Sequence, residues 1–123
     1  EPYGATRCGV KVCCAPDGSE ETVVGYDSVT QKLFIDTQRS SSRGMGLKIL
    51  EAGPFHLDST ELLRLRVLID KSVVEVFAND RQAALRRIYP SQRESVQVKL
   101  FSEGSATRVH SLTGWEMMPA NPY

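Results

Sequence analysis

Long apolar runs are absent from this sequence of 123 residues. No uninterrupted hydrophobic stretch approaches the roughly 18 residues that a membrane-spanning helix requires. An excess of charge is absent too, because fifteen Lys and Arg balance fifteen Asp and Glu. Because the molecule has no excess of positive charge, its electrostatic field does not favour binding to phosphate backbones or anionic lipid. The sequence therefore argues against a membrane span and against nucleic acid or a membrane surface as partner.

Cysteine and histidine are also scarce. Cys8, Cys13 and Cys14 are an odd set. Neighbouring strand residues point to opposite faces, so we do not expect Cys13 and Cys14 to bridge each other. Buried free thiols are the expected state. His56 and His110 lie far from the cysteines, and no common zinc-ligand spacing occurs. We predict neither a metal site nor a cofactor.

Motifs of nucleophilic and phosphoryl chemistry are missing as well. The sequence has no Gly-x-Ser-x-Gly elbow and no glycine-rich loop that opens a helix. A glycosidase needs two carboxylates about 5 to 9.5 Å apart, and Asp70 and Glu75, which flank a tight turn, are the candidate pair. An Asp at a strand end more often accepts backbone N–H bonds of its own turn. Glu75 lies among apolar residues, where a nearby arginine is the expected partner. We interpret both residues as structural.

What the sequence does contain is a series of short β-branched runs, separated by Gly, Pro, Asp, Asn and Ser. Apolar residues alternate within these runs, and no window shows a sustained helical period. Residues 38–46 are rich in Ser and Gly and are typical of a surface loop. We predict strands over residues 8–14, 22–27, 32–36, 63–69, 73–78, 83–89, 96–100 and 107–117.

The spacing of these runs predicts the fold class. Short strands at intervals of about 8 to 12 residues, without helices between them, are typical of two antiparallel sheets stacked around one core. A chain of this length suits one domain, since domains of about 100 to 150 residues are the commonest. No motif repeats at a fixed spacing, which argues against a solenoid or a propeller. We therefore expect residues 1–123 to form a single all-β sandwich domain.

Sugar binding is left open by the residues themselves. A sandwich can present Tyr, Trp and Arg on an exposed face, where rings stack on sugars and guanidinium groups donate to hydroxyls. The candidate platforms are Tyr3, Tyr26, Tyr89 and Trp115. With so few aromatic residues, most are expected to pack in the core or at its edge.

Residues 65–90 carry the most specific motif. They read LRVLIDKSVVEVFAND followed by RQAALRRIYP and resemble the C-terminal β-sandwich domain of glycoside hydrolase family 32, the family of invertases, levanases and inulinases. RCGVKVCCAPDGSEETVVGYD resembles its early hairpin and LFSEGSATRVHSLTGWEM its last strands, so the likeness covers nearly the whole chain. The hallmark of the domain is matched at each position, by Asp70, Ser72, Glu75 and Phe77.

The resemblance implies a sandwich similar to the legume-lectin, or concanavalin A, fold. In the family, catalysis belongs to a separate N-terminal five-bladed propeller with an aspartate nucleophile, an Arg-Asp-Pro triplet and a Glu-Cys acid motif. None of these motifs occurs here, and Asn79-Asp80 matches the first only as a dipeptide. The resemblance thus implies that this chain is a fragment of a β-fructofuranosidase: a non-catalytic accessory domain that stabilises the propeller.

Other partners follow from the same resemblance. In some relatives the sandwich mediates dimerisation, and a related module binds fructans. The alternative to the accessory role is therefore a carbohydrate-binding module for levan or inulin. Family sandwiches usually include a strand before the position of Glu1, so we expect an exposed sheet edge.

Overall fold

The structure, a computed structural model, describes residues 1–2 and 4–119. These residues form strands without any helix, so none of their elements is a helix able to span a membrane. The strands are β1 (Arg7–Cys14), β2 (Thr22–Asp27), β3 (Lys32–Asp36), β4 (Leu50–Pro54), β5 (Leu65–Asp70), β6 (Val73–Ala78), β7 (Gln82–Arg87) and β8 (Gln97–Glu103).

The eight strands make two antiparallel sheets. Sheet A has five strands in the order β4-β3-β2-β1-β8, and sheet B has three in the order β5-β6-β7. Each pair of neighbours is antiparallel. The predicted all-β sandwich of two antiparallel sheets is confirmed.

The core lies between the two sheets. Successive strand residues point to opposite faces, so every second residue of the central strands reaches the interior. Fully burying such an aliphatic side chain contributes about 1.5–3 kcal/mol. A second buried cluster surrounds Tyr26, whose ring meets Phe55 edge-on at 5.9 Å. The main cluster consists of Val12, Val24, Ile35, Val74, Val76 and Ile88.

All three cysteines are free thiols, as predicted. Cys8 and Cys14 are buried, and Cys13 is half-buried. Cys13 has a φ of 49° and lies where the register of β1 against β8 shifts, so it occupies a β-bulge. Burial raises the pKa of Cys13 to about 11. The thiol is therefore protonated and unreactive at neutral pH.

One predicted strand is wrong, and one observed strand was not predicted. The closing strand predicted over 107–117 does not form, since residues 106–119 contain no strand. Alternating apolar residues make a strand only where a sheet edge accepts their backbone, and in this segment the backbone contact is between Arg108 and Glu1. Conversely, β4 was not predicted, because LEAGP contains Gly53 and Pro54. As an edge strand paired only with β3, it tolerates the proline at its end.

Sheet B is narrower than sheet A and leaves β8 uncovered. Arg86 of β7 forms an ion pair with Glu51 of β4, so β7 lies over that side of sheet A. At the other side, Leu100 lies opposite Val10, which packs on the core. Leu100 is nevertheless 48% exposed, because no strand of sheet B lies across from it in the described chain. We call Val98 and Leu100, together with Val96 just before β8, the β8 strip.

Candidate functional site

The hallmark residues lie at the β5–β6 hairpin. Asp70, Glu75 and Phe77 share the outer face of sheet B, since Val74 and Val76 point into the core. Ser72 lies in the turn, where its carbonyl accepts a hydrogen bond from the N–H of Ile88 at 2.8 Å.

The arginine partner expected for Glu75 is not found. In the part of the chain that the structure describes, no ion pair or hydrogen bond involves the Glu75 side chain. The register places Leu68 and Leu85 directly opposite Glu75. Arg66, on the same face, pairs with Asp80 instead. The side chain of Glu75 is half-buried among apolar neighbours.

The hydrogen-bonded turn expected at Asp70 is also absent. Asp70 stays in the ladder opposite Val73, and the two-residue turn closes through Lys71 at a φ of 51°. The Asp70 side chain is exposed, and no turn N–H donates to its carboxylate among the described residues. Among the described residues, the aspartates that do accept such bonds from residues just after them are Asp17, Asp27 and Asp36.

The predicted aromatic platforms are scattered. Tyr26 is 3% exposed and belongs to the core. Tyr89 is half-buried against Gly46, in the loop that precedes β4. Trp115 is 61% exposed in the segment without strands, and Tyr3 lies outside the described residues. No two of the described three meet in a common site.

A cavity of about 250 Å³ lies on the outer face of sheet A. Its apolar floor is made by two phenylalanines, and we call it the outer-face cavity. Across the strands the register runs Phe101, Gly9, Gly25, Phe34. The two rings lean over the glycines, with their centres 6.5 Å apart. A Cβ on Gly25 would lie 2.7 Å from Cζ of Phe34 and 2.9 Å from Cζ of Phe101, so this arrangement requires glycine.

Charged side chains form the rim of this cavity. Arg7 Nε donates to Asp27 Oδ2 at 3.0 Å, and the Arg7 guanidinium lies 5.5 Å from the centre of the Phe34 ring. Glu21 accepts from Lys11 Nζ at 3.1 Å and from Arg39 Nη1 at 3.0 Å. These pairs hold the long side chains over the floor and limit their rotamers.

The rim is electrically balanced. Glu103 adds a carboxylate without a side-chain hydrogen bond among the described residues, and Asp36 adds another that accepts only from the N–H of Gln38. Three cations and three anions line the cavity: Arg7, Lys11, Arg39, Glu21, Asp36 and Glu103. Their formal charges sum to zero, so the rim of the cavity has no dominant sign.

Reasoning from the sequence did not predict this cavity. Two glycines inside predicted strands, Gly9 and Gly25, were the available signal, because a strand glycine often marks a place where another group approaches closely.

A buried carboxylate, Glu20, organises three surface segments. It is fully buried and accepts hydrogen bonds from the N–H of Ser42 at 2.6 Å, from Oγ of Ser95 at 2.6 Å and from the N–H and hydroxyl of Ser91. Gln92 N–H donates as well, at 3.2 Å. Burial alone would raise the pKa of Glu20, but these bonds outweigh it and hold the pKa well below its ordinary range. The loop over 38–46 is therefore anchored at its start, with Ser40 and Ser41 buried.

Fold and surface together define an all-β sandwich module whose polar cavity lies on a sheet face. Residues 2–116 match the family model for the glycosyl hydrolases family 32 C terminal. The chain therefore belongs to glycosyl hydrolase family 32, as a C-terminal domain.

Characterised relatives agree with this assignment. An extracellular exo-inulinase of Aspergillus niger is 34% identical over 117 residues, covering 89% of this chain and 22% of that protein. A levanase of Bacillus subtilis is 30% identical over 115 residues, covering 91% of this chain and 16% of the relative. The crystal structure of exo-inulinase from Aspergillus awamori superposes with a TM-score of 0.74 and 29% identity, covering 81% of this chain and 20% of that one. The chain thus spans about a fifth of the length of such relatives.

Proposed function

We propose that this chain is the non-catalytic accessory sandwich of a fructan- or sucrose-hydrolysing enzyme, and that it stabilises an N-terminal catalytic propeller by packing against it. One observation carries the proposal: of the fourteen large apolar side chains that are exposed in the described chain, eight lie within residues 96–118. These eight are the β8 strip together with Val109, Leu112, Trp115, Met117 and Met118.

The physical argument starts from the width of the two sheets. Within the described residues, sheet B has no strand opposite β8, so Val98 is 58% exposed on a face that elsewhere forms the core. Contiguous apolar patches on small soluble domains mark surfaces that another body covers. Interfaces between domains of one chain bury about 600–1,500 Å², which is compatible with a sheet strip and an adjoining segment.

The proposed occupant is the rest of a family 32 enzyme. The relatives extend well beyond the region they share with this chain, which spans about a fifth of their length. Asp70 and Glu75, the one pair of carboxylates that the sequence suggested for catalysis, lie on the outer face of sheet B and do not line the outer-face cavity. A supporting rather than a catalytic role fits this arrangement.

Replacing Val98 by lysine is expected to weaken binding to a separately produced catalytic region of the same parent protein at least about tenfold, since the interface would have to bury an unpaired charge. The side chain is largely exposed, so the unfolding free energy should change little. Isothermal titration calorimetry measures the binding and urea denaturation the stability. Val29→Lys is the matched control, because Val29 is 74% exposed in the β2–β3 turn, away from the strip.

Three results would contradict the accessory role. They are no binding by the unaltered chain, equal binding by Val98→Lys, and self-association through the strip without affinity for the catalytic region. Analytical ultracentrifugation distinguishes the last case.

The isolated chain is expected to release no fructose from sucrose or inulin. A reducing-sugar assay at high protein concentration checks this expectation. Hydrolysis that disappears in an Asp70→Asn or Glu75→Gln variant would show instead that the open carboxylate pair is catalytic.

A further inference from the structure

We propose that the outer face of sheet B is a second docking surface for the catalytic region, and that a cationic side chain of that region pairs with Glu75. The inference rests on the proposed accessory role and extends it to a separate surface and to one residue. It starts from the Glu75 carboxylate, which forms no ion pair or hydrogen bond within the described chain.

Glu75 lies at the centre of the outer face of sheet B. The register arranges nine outward-pointing residues in three rows across the strands, with Leu68 and Leu85 on either side of Glu75. Val73 and Phe77 lie two residues before and after it on β6, on the same face because strand side chains alternate. Four apolar side chains therefore surround one carboxylate. The corners of the face are Arg66, Asp70, Ala83 and Arg87.

This face is unusually apolar for a sheet surface that meets water. Leu85 is 47% exposed, and Leu68, Val73 and Phe77 are only half-buried. The solvated face of an antiparallel sheet usually carries polar residues. Covering the apolar ring would take the Glu75 carboxylate out of water, which is costly unless a cation pairs with it. A partner that covers this face must therefore present a cation at its centre.

The arginines of the same face do not neutralise Glu75. Arg66 and Arg87 lie at diagonal positions from it on the two neighbouring strands. Arg66 pairs with Asp80 at 3.8 Å, and Arg87 makes no ion pair with Glu75 in the part of the chain that the structure describes. The Glu75 carboxylate is thus available to a cation from a partner.

Size and charge argue against a second copy of this chain as the occupant. Three strands of six residues, about 4.8 Å apart, give a face of roughly 14 by 20 Å. That area is well below the roughly 800 Å² per partner of a stable complex. A two-fold axis through the centre of the face would also bring two Glu75 carboxylates together, and like charges repel.

Continuity with the β8 strip favours the catalytic region instead. Because β7 lies over the β4 side of sheet A, β5 is the strand of sheet B nearest β8. The edge of β5 that faces away from β6 pairs with no strand of the described chain. A partner that covers the β8 strip can therefore extend past β5 onto the outer face of sheet B, and the two areas form one larger interface.

The test is a calorimetric titration of the full chain with the catalytic region of the same parent protein. We expect Glu75→Gln to weaken binding at least about tenfold, because it removes the charge that pairs with the cation and keeps the size of the side chain. In urea denaturation the same variant should be at least as stable as the unaltered chain, since Glu75 has no ion pair to lose.

Glu103→Gln is the matched control. Glu103 is a carboxylate without a side-chain hydrogen bond among the described residues, and it lies on the outer face of the other sheet. The control should bind the catalytic region as tightly as the unaltered chain does. Equal weakening by the two variants would overturn the pairing at Glu75, because a general loss of negative charge would then explain both.

The sign of the change shows what meets Glu75. Unchanged binding by Glu75→Gln would overturn the proposal because the residue is then uncovered, and tighter binding would overturn it because the residue is then covered without a cation. If Val98→Lys weakens binding and Glu75→Gln does not, the accessory role stands and only the pairing at Glu75 fails. No binding by the unaltered chain would contradict both.

Discussion

Glu20→Ala is expected to lower the free energy of unfolding by about 3–5 kcal/mol, close to the loss seen when one partner of a buried charged pair is removed. The substitution leaves the donors of Ser42, Ser91, Gln92 and Ser95 without their acceptor. Each buried unsatisfied donor costs about 1–3 kcal/mol, reduced where water enters the space left behind. Against a total stability of about 5–15 kcal/mol, the loss is large.

Urea denaturation measures this effect, and Glu94→Ala is the control. Glu94 is an exposed carboxylate of the same 90–95 segment, and its side chain makes no hydrogen bond in the described chain. We expect the control to stay within about 0.5 kcal/mol of the unaltered protein. Equal losses in the two variants would show that Glu20 does not connect these segments.

The Glu20 carboxylate also makes the free energy of unfolding depend on pH. Its pKa is depressed in the folded chain, so the unfolded chain takes up a proton first, near the ordinary Glu pKa of about 4.3. The stabilisation is therefore complete above that pH and is lost as the pH falls towards the folded pKa. Compared with Glu20→Gln, the unaltered protein should lose its advantage progressively as the pH falls below about 5. Glu61, whose pKa the bonds from Arg81 and Asn79 hold at about 2, is common to both proteins and cancels.

Gly9→Ala is expected to destabilise the chain by at least about 3 kcal/mol, at the upper end of ordinary overpacking. Gly9 lies in the central part of sheet A, opposite Gly25 on one side and Phe101 on the other. A Cβ there would collide with the carbonyl oxygen of Val24 and lie 2.6 Å from Cα of Gly25. Both are backbone atoms of the neighbouring strand, so β2 would have to move away from β1.

Gly114→Ala is the companion variant, because a Cβ on Gly114 meets open space. Its unfolding free energy should equal that of the unaltered chain or exceed it slightly, since alanine restricts the unfolded chain more than glycine does. Thermal denaturation of the pair isolates the steric effect. A Gly9→Ala protein as stable as Gly114→Ala would mean that the two strands lie farther apart at this point.

The success of the sequence prediction depended on how local each feature is. β2, β3 and β6 were predicted at their observed bounds. In β6 the side-chain period and the burial coincide, since every second residue is buried. The same alternation failed over 107–117, where no sheet edge receives the segment. β4 was missed for the opposite reason, since an edge strand needs little pattern of its own when a neighbour supplies the hydrogen bonds.

The polar residues described above also show this difference between local and long-range features. Nothing in the local sequence separates Glu20 from Glu21, yet one is fully buried among serines and the other pairs with Lys11 and Arg39 at the rim of the cavity. The partners of Glu20 lie about 20 and 70 residues further along the chain. A pairing over that distance depends on how the loops close over the sheets, which no short window contains.

By itself, the sequence determined the all-β class, the interior face of its central strands and the resemblance to family 32. Each of these features depends on patterns that are only a few residues long. Only the tertiary structure decided which strand stays uncovered and that Phe34 and Phe101 meet above a pair of glycines. The physical reason is that sheet order and register join residues remote in sequence, and the surfaces they form exist only once the strands have paired.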